Sequence, residues 1–256
     1  MTRRAVVTGA SSGIGRATAV ALRNSGWDVL GVARRADRLE QLAAETGAQV
    51  FAADLTKQQD VDALAERIGG DPLHSLVHIA GGALGADRVE DGDSEQWLRM
   101  YEMNTLSAHR LVKALLPKLR ATAAAENTHV DMLFLTSTAA QVAYPGGAGY
   151  NAAKAGESML VQALRQELVG EPVRVIEIAP GMVHTEEFSL VRLGDQAKAD
   201  AVYDNVEQPL TAGDVADVVA YSLNAPGHVN LDLVTVRPVA QAAQHLVHRG
   251  ALAPRV

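Results

Sequence analysis

The chain has 256 residues, 48% hydrophobic and 21% charged, with a formal net charge of −7 and no cysteine. This composition suits one large α/β domain able to bury a sizeable core. The acidic balance argues against nucleic acid or an anionic membrane as main partner. Disulfides and thiolate metal sites are excluded, no histidine spacing of the H-E-x-x-H kind suggests a metal, and the composition suits a reducing cytoplasm. No apolar signal segment precedes the first turn, and no apolar run reaches the ~18 residues of a membrane helix.

In chain order, seven short apolar runs read as strands: RAVVT (4–8), DVLGVA (28–33), QVFAA (49–53), SLVHIA (75–80), VDMLFLTS (130–137), VRVIEIA (173–179) and LDLVTV (231–236). Continuous apolar runs of this kind suit strands covered on both faces of a parallel sheet. Between them lie helical stretches such as GRATAVALRNSG, RADRLEQLAAETG and VDALAERIGG, with Ala and Leu at helical spacing and glycine at the close. The alternation predicts a doubly wound, seven-stranded parallel sheet with helices on both faces, Rossmann-like, in a single domain over residues 1–256. The least regular stretch, residues 180–208, reads as a flap over the substrate.

The first strand runs directly into TGASSGIG, Thr8 to Gly15. In a doubly wound sheet this turn faces the ligand crevice. A helix start there offers free N–H groups and positive dipole charge, which suits a phosphate. Gly9, Gly13 and Gly15 remove the Cβ atoms that would keep a pyrophosphate away from the backbone, and Ser11, Ser12 and Ile14 complete the cradle.

The spacing is G-x-x-x-G-x-G, and with it the chain resembles the short-chain dehydrogenase/reductase family. The resemblance continues in order: ADL with Asp54 and Leu55 after the third strand, Ala80 and Gly81 after the fourth, MNTLS with Asn104, TSTAA with Ser137, YNAAK with Tyr150 and Lys154, and APGMVHT with Pro180, Gly181, Val183 and Thr185. It implies that these residues contact a nicotinamide cofactor and that Asn104, Ser137, Tyr150 and Lys154 form the catalytic tetrad. One departure is plain: HIAGG, with His78 and Ile79, stands where the family usually has Asn-Asn-Ala-Gly, so His78 reads as a hydrogen-bonded strand-end side chain.

Hydride chemistry follows from the residue types. Tyr150 and Lys154, at i and i+4, share a helix face. An ammonium beside a phenol favours the phenolate and brings a pKa of about 10 towards working range. Ser137, at a strand end, can donate to the substrate oxygen as charge develops there. The resemblance implies that Lys154 also holds ribose hydroxyls and that Asn104 holds a water linking Lys154 to solvent. At the end of the second strand no acid stands ready for a ribose 2′-OH; Arg34 and Arg35 follow instead, and their forked guanidinium groups suit a 2′-phosphate, so the expected cofactor is NADP(H). The alternative is that both arginines are merely solvated at a helix start.

The last third, EEFSLVRLGD and APGHVNLDLVTVRPVAQ, resembles the NADP-dependent 3-hydroxy acid dehydrogenases of the serine 3-dehydrogenase and L-allo-threonine dehydrogenase type. This implies oxidation of a 3-hydroxyl beside a carboxylate, with Ser137 and Tyr150 at the hydroxyl and Arg192 as candidate for the carboxylate. Arg192 could instead pair with Glu186, Glu187 or Asp195 inside the flap. The family resemblance also implies a homotetramer built on the helices containing KLRATAAAE and AAKAGESMLVQAL. A broad NADPH carbonyl or 3-oxoacyl reductase stands as the alternative activity, and a non-catalytic NADP(H)-binding regulator as the alternative class.

Overall fold

In the computed structural model, which describes residues 2–254, each of the seven apolar runs contains a strand. They are β1 (Arg4–Thr8), β2 (Asp28–Ala33), β3 (Gln49–Ala52), β4 (Ser75–His78), β5 (Val130–Leu135), β6 (Val173–Pro180) and β7 (Val234–Val236). All pair in parallel, in the order β3-β2-β1-β4-β5-β6-β7. The order reverses between β1 and β4, and a crevice opens there at the C-terminal strand ends.

Several strands are shorter than their apolar runs, and side chains decide where they stop. After His78 the N–H groups of Ile79 and Ala80 leave the ladder and donate to Thr8 Oγ1 at 2.9 and 3.0 Å. After Leu135 the chain turns into a 3₁₀ turn, Thr138–Ala140, whose Ala139 N–H donates to Ser137 Oγ. At the other end of its run, β7 begins only at Val234.

Helices cover both faces. On one lie α1 (Gly13–Asn24), α2 (Ala36–Thr46) and α9 (Ala212–Asn224), burying Leu22, Leu42 and Val219 against β1, β2 and β6. On the other, α3 (Gln58–Ile68), α5 (Ser107–Glu126) and α6 (Ala148–Glu167) bury Leu64, Leu111 and Val161. Before α5 lies α4 (Ser94–Tyr101). A capping box starts α9: Thr211 accepts from the Asp214 N–H and Asp214 accepts from the Thr211 N–H. Thr211→Ala should therefore cost about 1 kcal/mol of stability, read as a lower urea midpoint with unchanged slope.

Residues 180–208 are more regular than the sequence reading expected. Val183–His184 pairs with Leu210–Thr211, and two short helices follow, α7 (Phe188–Leu193) and α8 (Gln196–Ala201). Gly194, at φ +66°, ends α7 in a left-handed turn, and Asp195 caps α8 by accepting from the Lys198 N–H. A glycine stop followed at once by an aspartate start is a helix-turn-helix signal that the mixed polarity of the stretch obscures.

Candidate active site

A cleft of about 930 Å³ lies along the C-terminal ends of the sheet, between the α1 start and the α7 segment. Gly9 takes φ +69°, and a Cβ on it would lie 3.1 Å from the Ala80 nitrogen. A Cβ on Gly15 would lie 2.3 Å from the Gly9 carbonyl oxygen, so only glycine lets α1 begin tight against the end of β1. The result is a backbone cradle at a helix N-terminus.

The cofactor residues expected from the sequence all line this cleft except Asn104, which is fully buried behind its wall. Asn104 sits in a π-turn, Glu102–Leu106, inserted between α4 and α5, a distortion frequent at functional positions. Its amide nitrogen donates to Gly82 O at 2.9 Å and Met100 O at 2.7 Å, and its oxygen accepts from the Gly82 N–H. The side chain thus braces the Gly81–Gly82 loop, with its amide donors resting on backbone carbonyls.

Tyr150 and Lys154 stand in the first turns of α6, both buried. Burial pushes the Tyr150 phenol up, while the Lys154 ammonium and the Ser137 hydroxyl pull it back. Lys154 Nζ donates to Leu135 O at 2.9 Å and to the Glu157 carboxylate at 2.7 Å. Ser137, Tyr150 and Lys154 line one end of the cleft, and the edge of Phe188 from α7 meets the Tyr150 ring at 5.9 Å between centroids.

His78 is fully buried and hydrogen-bonded, as its strand-end position suggests. Thr8 Oγ1 already accepts two N–H groups, so its hydroxyl donates to His78 Nδ1 at 3.0 Å. The ring proton is therefore on Nε2, directed at Ser107 Oγ 3.2 Å away. Burial, with the nearby Lys154 charge, holds the imidazole pKa down at about 3, so His78 is neutral. His184, from the short strand, lies against the Tyr203 ring at 4.3 Å.

Arg34 is exposed on the cleft rim. Arg35 donates to both Glu187 carboxylate oxygens at 2.7 and 2.8 Å and also reaches the Ser11 and Ser12 hydroxyls. Arg35 is thus engaged rather than solvated. Among the described residues Arg192 pairs with no acid: it donates to Gly85 O, Tyr144 Oη and Gly146 O, and its guanidinium carbon lies 5.9 Å from the centroid of the Tyr150 ring. Sequence reasoning missed Tyr144, Glu157 and Glu187. The i, i+3 spacing of Lys154 and Glu157 carried a signal, whereas the Glu187 contact crosses the fold.

A dinucleotide fits this frame. Arginines stand at one end, a Cβ-free cradle at the middle and the buried Tyr–Lys pair at the other, and Arg35 already holds an anionic group. The model of a family described as short chain dehydrogenase matches residues 3–195. The chain belongs to the short-chain dehydrogenase/reductase family. It is an oxidoreductase of CH–OH groups, in a family that uses NAD(P)(H). An uncharacterized oxidoreductase of Mycobacterium tuberculosis is 48% identical over 94% of this chain and 93% of its own length. A serine 3-dehydrogenase of Rhizobium radiobacter is 36% identical over 93% of this chain and 94% of its own. The solved closed form of a serine dehydrogenase complexed with NADP+ superimposes with a TM-score of 0.88 at 32% identity, covering 96% of this chain and 99% of that one. Among the described residues no helix of this short-chain dehydrogenase/reductase is long and apolar enough to cross a membrane, and no group of His, Asp or Glu side chains suits a metal ion.

Proposed function

We propose that the protein transfers a hydride between NADP(H) and the hydroxyl or carbonyl carbon of a small 3-hydroxy acid. When bound, the cofactor supplies the carbon that takes or gives the hydride. Tyr150 exchanges the proton, Ser137 steadies the substrate oxygen, and Lys154 supplies positive charge beside Tyr150. The cradle Gly9–Gly15 with Ser11, Ser12 and Ile14, the adenine-side Asp54 and Leu55, Ala80 and Gly81, and Pro180, Gly181, Val183 and Thr185 hold the cofactor.

The placement of Arg192 carries the choice of an acid. Its three protein acceptors take one N–H each from Nε, Nη1 and Nη2. A guanidinium has five N–H donors, so one on each terminal nitrogen is left for a carboxylate. Because Gly85, Tyr144 and Gly146 fix the group beside Tyr150, a carboxylate held there leaves the neighbouring hydroxyl within the reach of Tyr150 and Ser137.

Reduction of NADP+ by a panel of 3-hydroxy acids and matched neutral alcohols tests this reading. The acids should lead; a lead for neutral alcohols, or for 3-oxoacyl thioesters in the NADPH direction, supports the broad carbonyl reductase instead. Arg192→Ala should raise KM about ten- to a hundredfold for acids, from the loss of a charge-assisted pair, with neutral alcohols and cofactor affinity unchanged. Equal losses on both substrate types would make Arg192 a shaper of the cleft only. A cytoplasmic homotetramer is expected, with α5 and α6 as contact helices; α6 keeps Met159 exposed, and light-scattering mass checks the assembly.

A further inference from the structure

Among the described residues three carboxyl groups lie buried in the sheet and its covering helices: Asp131, Glu157 and Glu177. Asp131 is answered by Arg174 at 2.6 Å and sits at the far end of β5 from the cleft. Glu157 and Glu177 lie instead near Lys154. Glu157 is wholly buried, and its Oε2 accepts from Lys154 Nζ at 2.7 Å. Its Oε1 has no hydrogen-bond partner among the described residues and lies 4.0 Å from His78 Nε2, the ring nitrogen that carries the proton. Glu177, from β6, accepts from the Thr136 hydroxyl at 2.7 Å. The titratable groups facing Glu157 are thus Lys154 and Tyr150 from its own helix, His78 from β4 and Glu177 from β6.

An ammonium taken out of water in this way loses most of its hydration, and burial alone disfavours its charged form. Lys154 has one carbonyl and one carboxylate to replace that water. We propose that Glu157 is a positioning residue of the hydride-transfer site: it holds the Lys154 ammonium in place from behind and keeps it charged within the buried floor of the cleft. This rests on the reading of Lys154 as part of that site. His78, the residue that departs from the family pattern, belongs to the same unit, because its neutral ring, whose Nε2–H is given to Ser107, lies 4.0 Å from the free oxygen of Glu157. A cationic imidazole there would compete with Lys154 for the carboxylate; a neutral one does not.

The charges act in a defined sense. Glu157 raises the Lys154 pKa against the downward effect of burial. Burial, opposed by Lys154, pushes the Glu157 carboxyl itself up to about 7. Above that pH the two form an ion pair; below it Glu157 is a neutral acceptor and Lys154 keeps its proton.

The experiment is a pH titration of the lysine Cε resonances in cofactor-free protein, with Lys154 assigned by its absence from the Lys154→Met spectrum. In wild type the Lys154 signal should inflect near pH 7 as its partner ionises and lose its proton only above the ordinary lysine range. In Glu157→Gln the inflection should vanish and the Lys154 midpoint should fall by more than one pH unit, a loss of over tenfold in proton affinity. Glu157→Asp, which keeps the charge on a shorter arm, should recover part of that shift, and the alkaline limb of kcat/KM should move with the midpoint. An unmoved Lys154 midpoint in Glu157→Gln overturns the proposal, even if that variant is less stable. Should Glu157→Gln not fold, the wild-type signal still decides: a flat curve between pH 5 and 9 overturns it, and an inflection that survives in Glu177→Gln supports it. The resonance readings need no substrate turnover, so they stand or fall separately from the 3-hydroxy acid assignment.

Discussion

Tyr150→Phe should lower turnover about a hundred- to ten-thousandfold, the usual contribution of a positioned acid–base group, and leave NADP(H) affinity nearly unchanged. The variant keeps the ring, so the contact with the Phe188 edge and the Arg192 guanidinium above the ring persist. Only the phenolic oxygen goes, and with it the atom in this buried corner able to exchange the proton of the substrate hydroxyl. The pH dependence has a fixed sign. Burial pushes the phenol up, and Lys154 with Ser137 pulls it back. Alcohol oxidation needs the base form, so kcat/KM in that direction should rise with pH, and Lys154→Ala should move the rising limb to higher pH. Steady-state kinetics with a fluorescence titration of NADPH separates rate from binding; near-wild-type turnover in Tyr150→Phe would remove Tyr150 from the role.

The parts of this site that were legible in the sequence are those fixed by local chemistry. Continuous apolar runs marked the sheet, and Gly9, Gly13 and Gly15 marked the cradle, because backbone approach depends on the missing Cβ atoms themselves. Strand ends were less legible: the ladder stops after His78 because the Thr8 hydroxyl, from another strand, captures the next two N–H groups. The contacts of the Asn104 side chain depend on a π-turn and on Gly82, neither written in the sequence near it. The buried acids interrupt apolar surroundings, Asp131 in VDMLFL, Glu177 in VRVIEIA and Glu157 in AGESMLVQAL, yet none was singled out from the sequence. Such local violations often mark functional or compensated positions. Their partners were not visible. Asp131 meets Arg174 because β5 and β6 place them in register, and Glu157 meets His78 only across the sheet–helix interface.

The arginines at the end of β2 give the second large effect, and the contact between Arg35 and Glu187 makes its sign testable from both sides. Arg35 is the N-cap of α2, where a cation opposes the helix dipole unless an anion answers it. Glu187, just before α7, answers it bidentately. A cofactor 2′-phosphate would present the same forked acceptor to the same guanidinium, with Arg34 on the rim beside it, so phosphate and Glu187 carboxylate compete for one group. Arg34→Ala/Arg35→Ala should therefore weaken NADP(H) binding about ten- to a hundredfold, with NAD(H) binding little changed. Glu187→Gln should act in the opposite direction: it removes the competing charge, so NADP(H) should bind several-fold more tightly while NAD(H) again stays put. Both shifts should shrink as salt rises, because the pair is partly exposed. Parallel titrations of the two cofactors against the three proteins read this out. If the ratio of NADP+ to NAD+ affinity is the same in all three, Arg35 serves only to anchor the α7 segment, and any preference for a phosphorylated cofactor must rest on other residues of the cleft.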